Sequence, residues 1–248
     1  MAGEEVQLKN LKQPPWNTTL LGVLKGAADY HGLNLDEAML YGLSGHAFLI
    51  NIHTQVCPSG PYCWKRDEAT PLIANLGLRL TDLGFFSADA KPEARAGIER
   101  QGRAALDQGV PCSLVNMENQ LITGYDGSGF LTAPVWPGNP FTPARVTFGT
   151  WAELGKAVHV NFYTIEKVEP ADPQAAILAS LEYAVDLWRN PEQHGSAAYG
   201  VGPKAYDYWI AAVPTAGSGH GNWWNATVWS ECRRMAAAYC AAIGKANE

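Results

Sequence analysis

The segment Glu169-Pro170-Ala171-Asp172-Pro173 constrains this chain more than any other feature. Its two prolines interrupt any regular ladder, and the residues on either side of it read differently. Upstream, short runs rich in Val, Ile, Phe and Tyr alternate with helical patterns. Downstream almost no β-branched run remains, and three helices follow, over Asp172–Asn190, from Gly202-Pro203 to Val213, and over Asn225–Ile243. The pattern predicts a domain over residues 1–168 and a helical subdomain over 169–248. The fold class is α+β.

Within the upstream part, Pro14-Pro15 halts the N-terminal arm, and Asn17-Thr18-Thr19 offers capping side chains before Leu20, Leu21, Val23, Leu24, Ala27 and Ala28. A buried helix is expected to start near Thr18, with Gly32 at its C-terminal end. Asn34-Leu35-Asp36-Glu37 resembles a capping box opening a short helix through Tyr41. His46–Val56 reads as a strand that ends where Cys57-Pro58-Ser59-Gly60-Pro61 forces a turn. Further expectations are a helix over Asp67–Leu76, a strand over Leu78–Phe86 and a helix over Lys91–Gln108, with Pro92 in its first turn. Cys112–Met117, Gln120–Asp126 and Phe130–Ala133 then form an antiparallel meander, and His159–Val168 adds a strand.

Composition excludes several classes of function. In 248 residues, 47% are hydrophobic and 17% charged, with nine Trp, ten Tyr and seven Phe, so the chain folds around a sizeable core. Eighteen Lys plus Arg stand against 24 Asp plus Glu, giving a charge of −6 with no basic run, which argues against a nucleic-acid partner. No uncharged apolar stretch reaches the length of about 18 residues that a membrane span requires, and Met1–Gln13 lacks the apolar core of a signal peptide. The expected address is cytoplasmic. Five cysteines, an odd number, do not read as a secreted disulfide framework, and most are expected to be thiols.

Three stretches together carry a resemblance: Trp16-Asn17-Thr18-Thr19 at a helix start, Gly42-Leu43-Ser44-Gly45-His46-Ala47-Phe48, and Leu121-Ile122-Thr123-Gly124-Tyr125-Asp126. In that order they resemble the N-terminal domain of the butirosin biosynthesis protein H family, a bacterial branch of the papain-like cysteine peptidases related to the bacteriocin-processing group. The resemblance spans roughly residues 14–165. It implies a papain-like fold, an N-terminal helix packed on a small antiparallel sheet, followed by the helical subdomain. It also implies a thiol at the start of the first helix, a His opening a strand, and an Asp or Asn on the next strand. Such a thiol becomes a nucleophile when a helix N-terminus and an imidazolium stabilise its thiolate. At those positions this sequence reads Asn17, Asn119 or Gln120, and Ala133. No Cys lies between residues 1 and 56 and no His between 54 and 158, so a shift of one residue does not restore the triad.

The leading expectation is therefore a degenerate papain-like protein that binds a small molecule or peptide in the former active-site cleft. Asn17, Thr18, His46, Glu118, Gln120 and Tyr125 are the candidate ligand-binding residues. His46 is either a donor facing the Asn17 helix start or a residue satisfied by backbone carbonyls. Glu118-Asn119-Gln120 is either a cluster at the cleft rim or a solvated hairpin edge. An alternative is an acyltransferase or amide hydrolase with Cys57 as a relocated nucleophile and His46 or Glu118 as base. His53 lies seven residues from His46, on the opposite face of a strand, so the two do not converge on one ion. Cys57 and Cys63 lack the spacing of a zinc knuckle, and no metal or cofactor is expected. Ser44 lacks the strand-to-helix setting of a nucleophile elbow, and Gly217–Gly221 lacks the Lys-Ser/Thr ending of a phosphate loop. A third reading is a structural or assembly protein that forms a homodimer through its helical region.

Overall fold

A computed structural model describes residues 5–66, 69–87, 89–155 and 159–245. In chain order it holds β1 (Val6–Gln7), α1 (Thr19–Tyr30), α2 (Glu37–Leu43), β2 (Asn51–His53), β3 (Leu78–Ser87), α3 (Pro92–Asp107), β4 (Cys112–Val115) and β5 (Asn119–Tyr125). There follow β6 (Gly129–Thr132), β7 (Arg145–Thr147), β8 (His159–Lys167), α4 (Pro173–Arg189), α5 (Pro191–His194), β9 (Tyr199–Val201), α6 (Pro203–Ala216) and α7 (His220–Lys245). The architecture is α+β, with an antiparallel sheet, several helices and a helical C-terminal segment. Among the described residues, no helix is long and apolar enough to cross a membrane.

The chain forms two compact units, and neither is continuous in sequence. The first comprises Met1–Asn34 and Gly77–Glu169, the second Leu35–Leu76 and Pro170–Glu248. The composition break at Glu169 thus coincides with a passage from one unit to the other. Residues 35–76, expected within a domain over 1–168, instead belong with the C-terminal helices. The cause is packing that local pattern does not reveal. A Cβ on Gly42 of α2 would lie 2.1 Å from the ring of Tyr239 in α7, so the two helices meet at a glycine.

The first unit is built on a seven-stranded sheet in the order β3-β8-β4-β5-β6-β7, with β1 also pairing β5. All seven residues of β5 are buried, because strands and helices cover both its edges and its faces. Alternation along β5 puts Asn119 and Leu121 on one face and Gln120 and Ile122 on the other. The first face receives α1, where a Cβ on Gly26 would lie 2.7 Å from Leu121 Cδ1 and 2.2 Å from the Lys12 carbonyl oxygen. The second receives α3, where a Cβ on Gly102 would lie 2.7 Å from the Phe130 ring. A bulge between Ile122 and Gly124 lets Ile122 and Tyr125 share that second face.

In the second unit α2, α4 and α7 pack around Tyr239, fully buried, whose hydroxyl lies 2.8 Å from Ser180 Oγ. The strand expected over His46–Val56 is reduced to Asn51–His53, paired with β9. His46–Phe48 is a 3-10 turn entered through Gly45 at φ +73°. Arg233 of α7 donates to the carbonyls of Ala47 and Leu49, so those groups serve a side chain rather than a sheet. Of the helix expected over Asp67–Leu76, Asp67 and Glu68 lie outside the described residues, and Thr70–Leu76 is 3-10.

Glycine packing gives a pair of opposite expectations for one kind of substitution. Gly97, in α3, has nothing within 4 Å of its would-be Cβ, so Gly97→Ala should raise unfolding free energy by about 0.5–1 kcal/mol through helix propensity. Gly26→Ala meets backbone at 2.2 Å, and overpacking should lower it by about 1–3 kcal/mol despite the same propensity gain. Urea denaturation checks both, and a stabilised Gly26→Ala would contradict the close approach of α1 to the Lys12 segment.

Candidate functional site

The start of α1 lies in the first unit and is fixed by side chains from two other segments. Thr18 is the N-cap residue at φ −81°, ψ 78°, with no hydrogen bond from its side chain to a helix N–H. Its carbonyl accepts from Leu21 and Gly22, which begins the helix. The Thr19 hydroxyl donates to Glu118 Oε2 at 2.9 Å and accepts from the Asn119 backbone N–H at 3.1 Å and from Asn119 Nδ2 at 3.2 Å. Gln13 completes the arrangement along the edge of β5. Its Oε1 accepts from the Leu121 N–H at 2.8 Å and its Nε2 donates to the Asn119 carbonyl at 2.9 Å, as a neighbouring strand would.

These polar groups are inside the protein. Thr19 is 1% exposed, Glu118 7% and Asn119 5%, so Glu118-Asn119-Gln120 is not a solvated hairpin edge. Burial of a carboxylate is costly unless hydrogen bonds replace its water, and the Thr19 hydroxyl supplies one. Trp16 and Asn17, which precede the helix in sequence, are half-buried. The arrangement is a polar network closed to solvent at the α1 start, preceded in the chain by an aromatic and a carboxamide that are partly exposed.

The remaining candidates do not converge there. Gln120, between Asn119 and Leu121, points to the α3 face, where Nε2 donates to the Pro143 carbonyl at 2.7 Å. A carbonyl oxygen only accepts, so the amide presents its nitrogen there, and Thr132 donates to the same oxygen. Gln120 Oε1 is then a buried acceptor without a partner among the described residues. Tyr125 occupies the α3 face too, donating its phenolic hydrogen to Asp107 Oδ1 at 2.7 Å. Between the two positions considered for the resemblance's His, Asn119 is therefore the one that meets the α1 start.

His46 and Cys57 belong to the second unit. His46 is 5% exposed, with ring centroids 5.5 Å from Trp64 and 6.4 Å from Trp229, and Arg66 lies over the Trp64 ring at 5.3 Å. Burial above all, then the positive charges of Arg66 and Arg233, push its pKa down to about 3, against a smaller opposing effect of Glu231. A neutral imidazole of such low basicity is a poor general base near neutral pH. No hydrogen bond joins it to Cys57 among the described residues. The Cys57 loop is held by amides instead. Asn225 Nδ2 donates to the Cys57 carbonyl at 2.9 Å, Asn51 Nδ2 donates to that of Gly60 at 2.7 Å, and Ser59 shares a 2.8 Å hydrogen bond with Tyr199.

None of the five cysteines forms a disulfide. Cys112 sits at the far end of β4 from the turn that carries Glu118, and burial pushes its thiol up to about 12. Among the described residues no three His, Cys, Asp or Glu side chains come together as a metal site. Sequence reasoning passed over Gln13 and Thr19. Thr19 stood in the quoted Trp16-Asn17-Thr18-Thr19 stretch, whereas nothing local marked Gln13, whose partners are more than a hundred residues away.

The His46 environment has a pH signature. The unfolded chain protonates this His near pH 6.5, the folded one only near about 3, so between those values the unfolded state binds the extra proton. Stability from this group is complete above about pH 6.5 and falls by roughly 1.4 kcal/mol per pH unit on acidification towards pH 3. Urea unfolding at pH 7 and pH 5 should show a larger loss for the wild type than for His46→Asn, and equal losses would contradict the burial of a neutral imidazole. No family model matches this chain, and no curated protein and no solved structure does either.

Proposed function

We propose that the first unit is a papain-like domain that binds a small molecule or a peptide at the start of α1, without Cys-His-Asp catalysis. The observation that carries this reading is the Thr19–Glu118–Asn119 network at the α1 start, two residues after Asn17. Where the resemblance implies a thiol and an imidazole, the residues are carboxamides, Asn17 and Asn119 or Gln120, and the neighbouring Thr19 hydroxyl is saturated by one donated and two accepted hydrogen bonds. Thr19 has neither solvent access nor a spare lone pair with which to attack a carbonyl. Asn17, half-buried ahead of the first turn of α1, carries an amide of the kind that recognises a carbonyl or carboxylate oxygen. A ligand carbonyl or carboxylate oxygen gains about 0.3–1 kcal/mol from the helix dipole at such a position, and the Asn17 amide adds directional hydrogen bonding.

The ligand classes that match are therefore small amides and peptides. Thermal-shift screening with dipeptides and amino-acid amides should find a stabilising compound, and calorimetry should give its Kd. Asn17→Ala should raise that Kd about tenfold, equivalent to about 1.4 kcal/mol, while Gly97→Ala leaves it unchanged. An unaltered Kd in Asn17→Ala would remove the site from the α1 start.

A further inference from the structure

The second unit exposes two apolar stripes that its own core does not use. In α4, Ala176, Ser180, Tyr183 and Leu187 face inward. Leu178, Leu181, Val185 and Trp188 repeat the three- and four-residue spacing on the other side, and Leu178 is 58% exposed, Val185 46% and Trp188 58%. Leu178, Leu181 and Val185 of this stripe line a groove of about 390 Å³ along α4 whose polar edge is Glu182, Asp186 and Arg189. In α6, fourteen residues long, only Ala205 is fully buried. Tyr206, Ile210 and Val213 project from it, and Ile210 is 72% exposed. The rings of Trp188 and Tyr206, with centroids 6.4 Å apart, join the two stripes into one surface.

An isolated helix of this length is marginal in water, so α6 depends on packing that its own unit provides only in part. We propose that this surface is a two-fold interface with a second copy of the chain, in which Ile210 of each copy seats in the α4 groove of the other. A two-fold interface must be complementary to itself, and here a projecting side chain and an apolar groove lie on the same surface. The exposed apolar side chains offer on the order of 600 Å² per copy, or about 1,200 Å² for a pair, which reaches the size of specific interfaces. Trp188 and Tyr206 supply the aromatic anchors that concentrate binding energy, and the charged edge of the groove supplies a polar rim. A lipid surface fits less well, because Glu182, Asp186 and Asp207 border the stripes on a chain of charge −6, and anionic headgroups would be repelled.

Sedimentation equilibrium at about 100 μM chain should give twice the 26.8 kDa chain mass. Ile210→Glu and Val185→Glu, both at exposed positions, should each raise the dimer dissociation constant at least tenfold with unchanged far-UV circular dichroism. In a Cys63→Ser, Cys240→Ser background, mixing Leu181→Cys chains with Ile210→Cys chains under mild oxidation should give a cross-linked pair in higher yield than either variant alone. A monomeric wild type at that concentration overturns the proposal. So does a dimer indifferent to both Glu substitutions, or a mixture that does not cross-link.

Discussion

The seam between α1 and β5 is the constraint from which the first unit takes its form. A glycine at position 26 lets the helix backbone approach Leu121 and the Lys12 carbonyl more closely than any side chain would allow. At that distance the polar groups at the helix start cannot reach water, and each needs a partner within the protein. Gln13, Thr19 and Asn119 are those partners, and together they pair the edge of β5 where β6 has ended. The candidate binding surface is thus a consequence of close packing. Its polar network is dry because Thr19, Glu118 and Asn119 are buried, whereas Trp16 and Asn17, ahead of the first turn, are only half-buried.

The second unit solves a different problem, that of holding an irregular segment against helices. Residues 46–63 carry little regular structure, so their backbone groups are satisfied by side chains. Arg233 takes the carbonyls of Ala47 and Leu49, Asn51 those of Gly60 and Cys63, and Asn225 that of Cys57. Trp229 donates in turn to Asn225 Oδ1 at 3.1 Å, which fixes the amide's orientation. Such networks are specific because a buried amide with one partner removed keeps its full desolvation cost. The same burial, with the positive charges of Arg66 and Arg233, disfavours the protonated form of His46, which packs instead between aromatic rings.

Long elements were legible before any coordinates. Helices α1, α3, α4 and α7 and strands β3, β5 and β8 are long enough to display their period and end at glycine, proline or a capping side chain. Strands of two or three residues, such as β1, β7 and β9, show no period, and their pairing exists only because a distant strand offers its edge. Of the candidate residues, Asn17 and Thr18 were placed by the sequence at the α1 start, and Glu118 was brought there by its hydrogen bond with Thr19. Gln120 and Tyr125 were not, because a strand sends neighbours to opposite faces and the bulge at Ile122–Gly124 shifts that parity midway.

By itself the sequence determined the α+β class, the passage at Glu169-Pro170 and the absence of a thiol ahead of the first helix, since these follow from residue identity and local period. Tertiary structure alone decided that residues 35–76 belong with the C-terminal helices, that Gln13 and Thr19 meet β5 at the α1 start, and that His46 is neutral. Those outcomes depend on burial and on partners far along the chain, and neither is a property of any local run of residues.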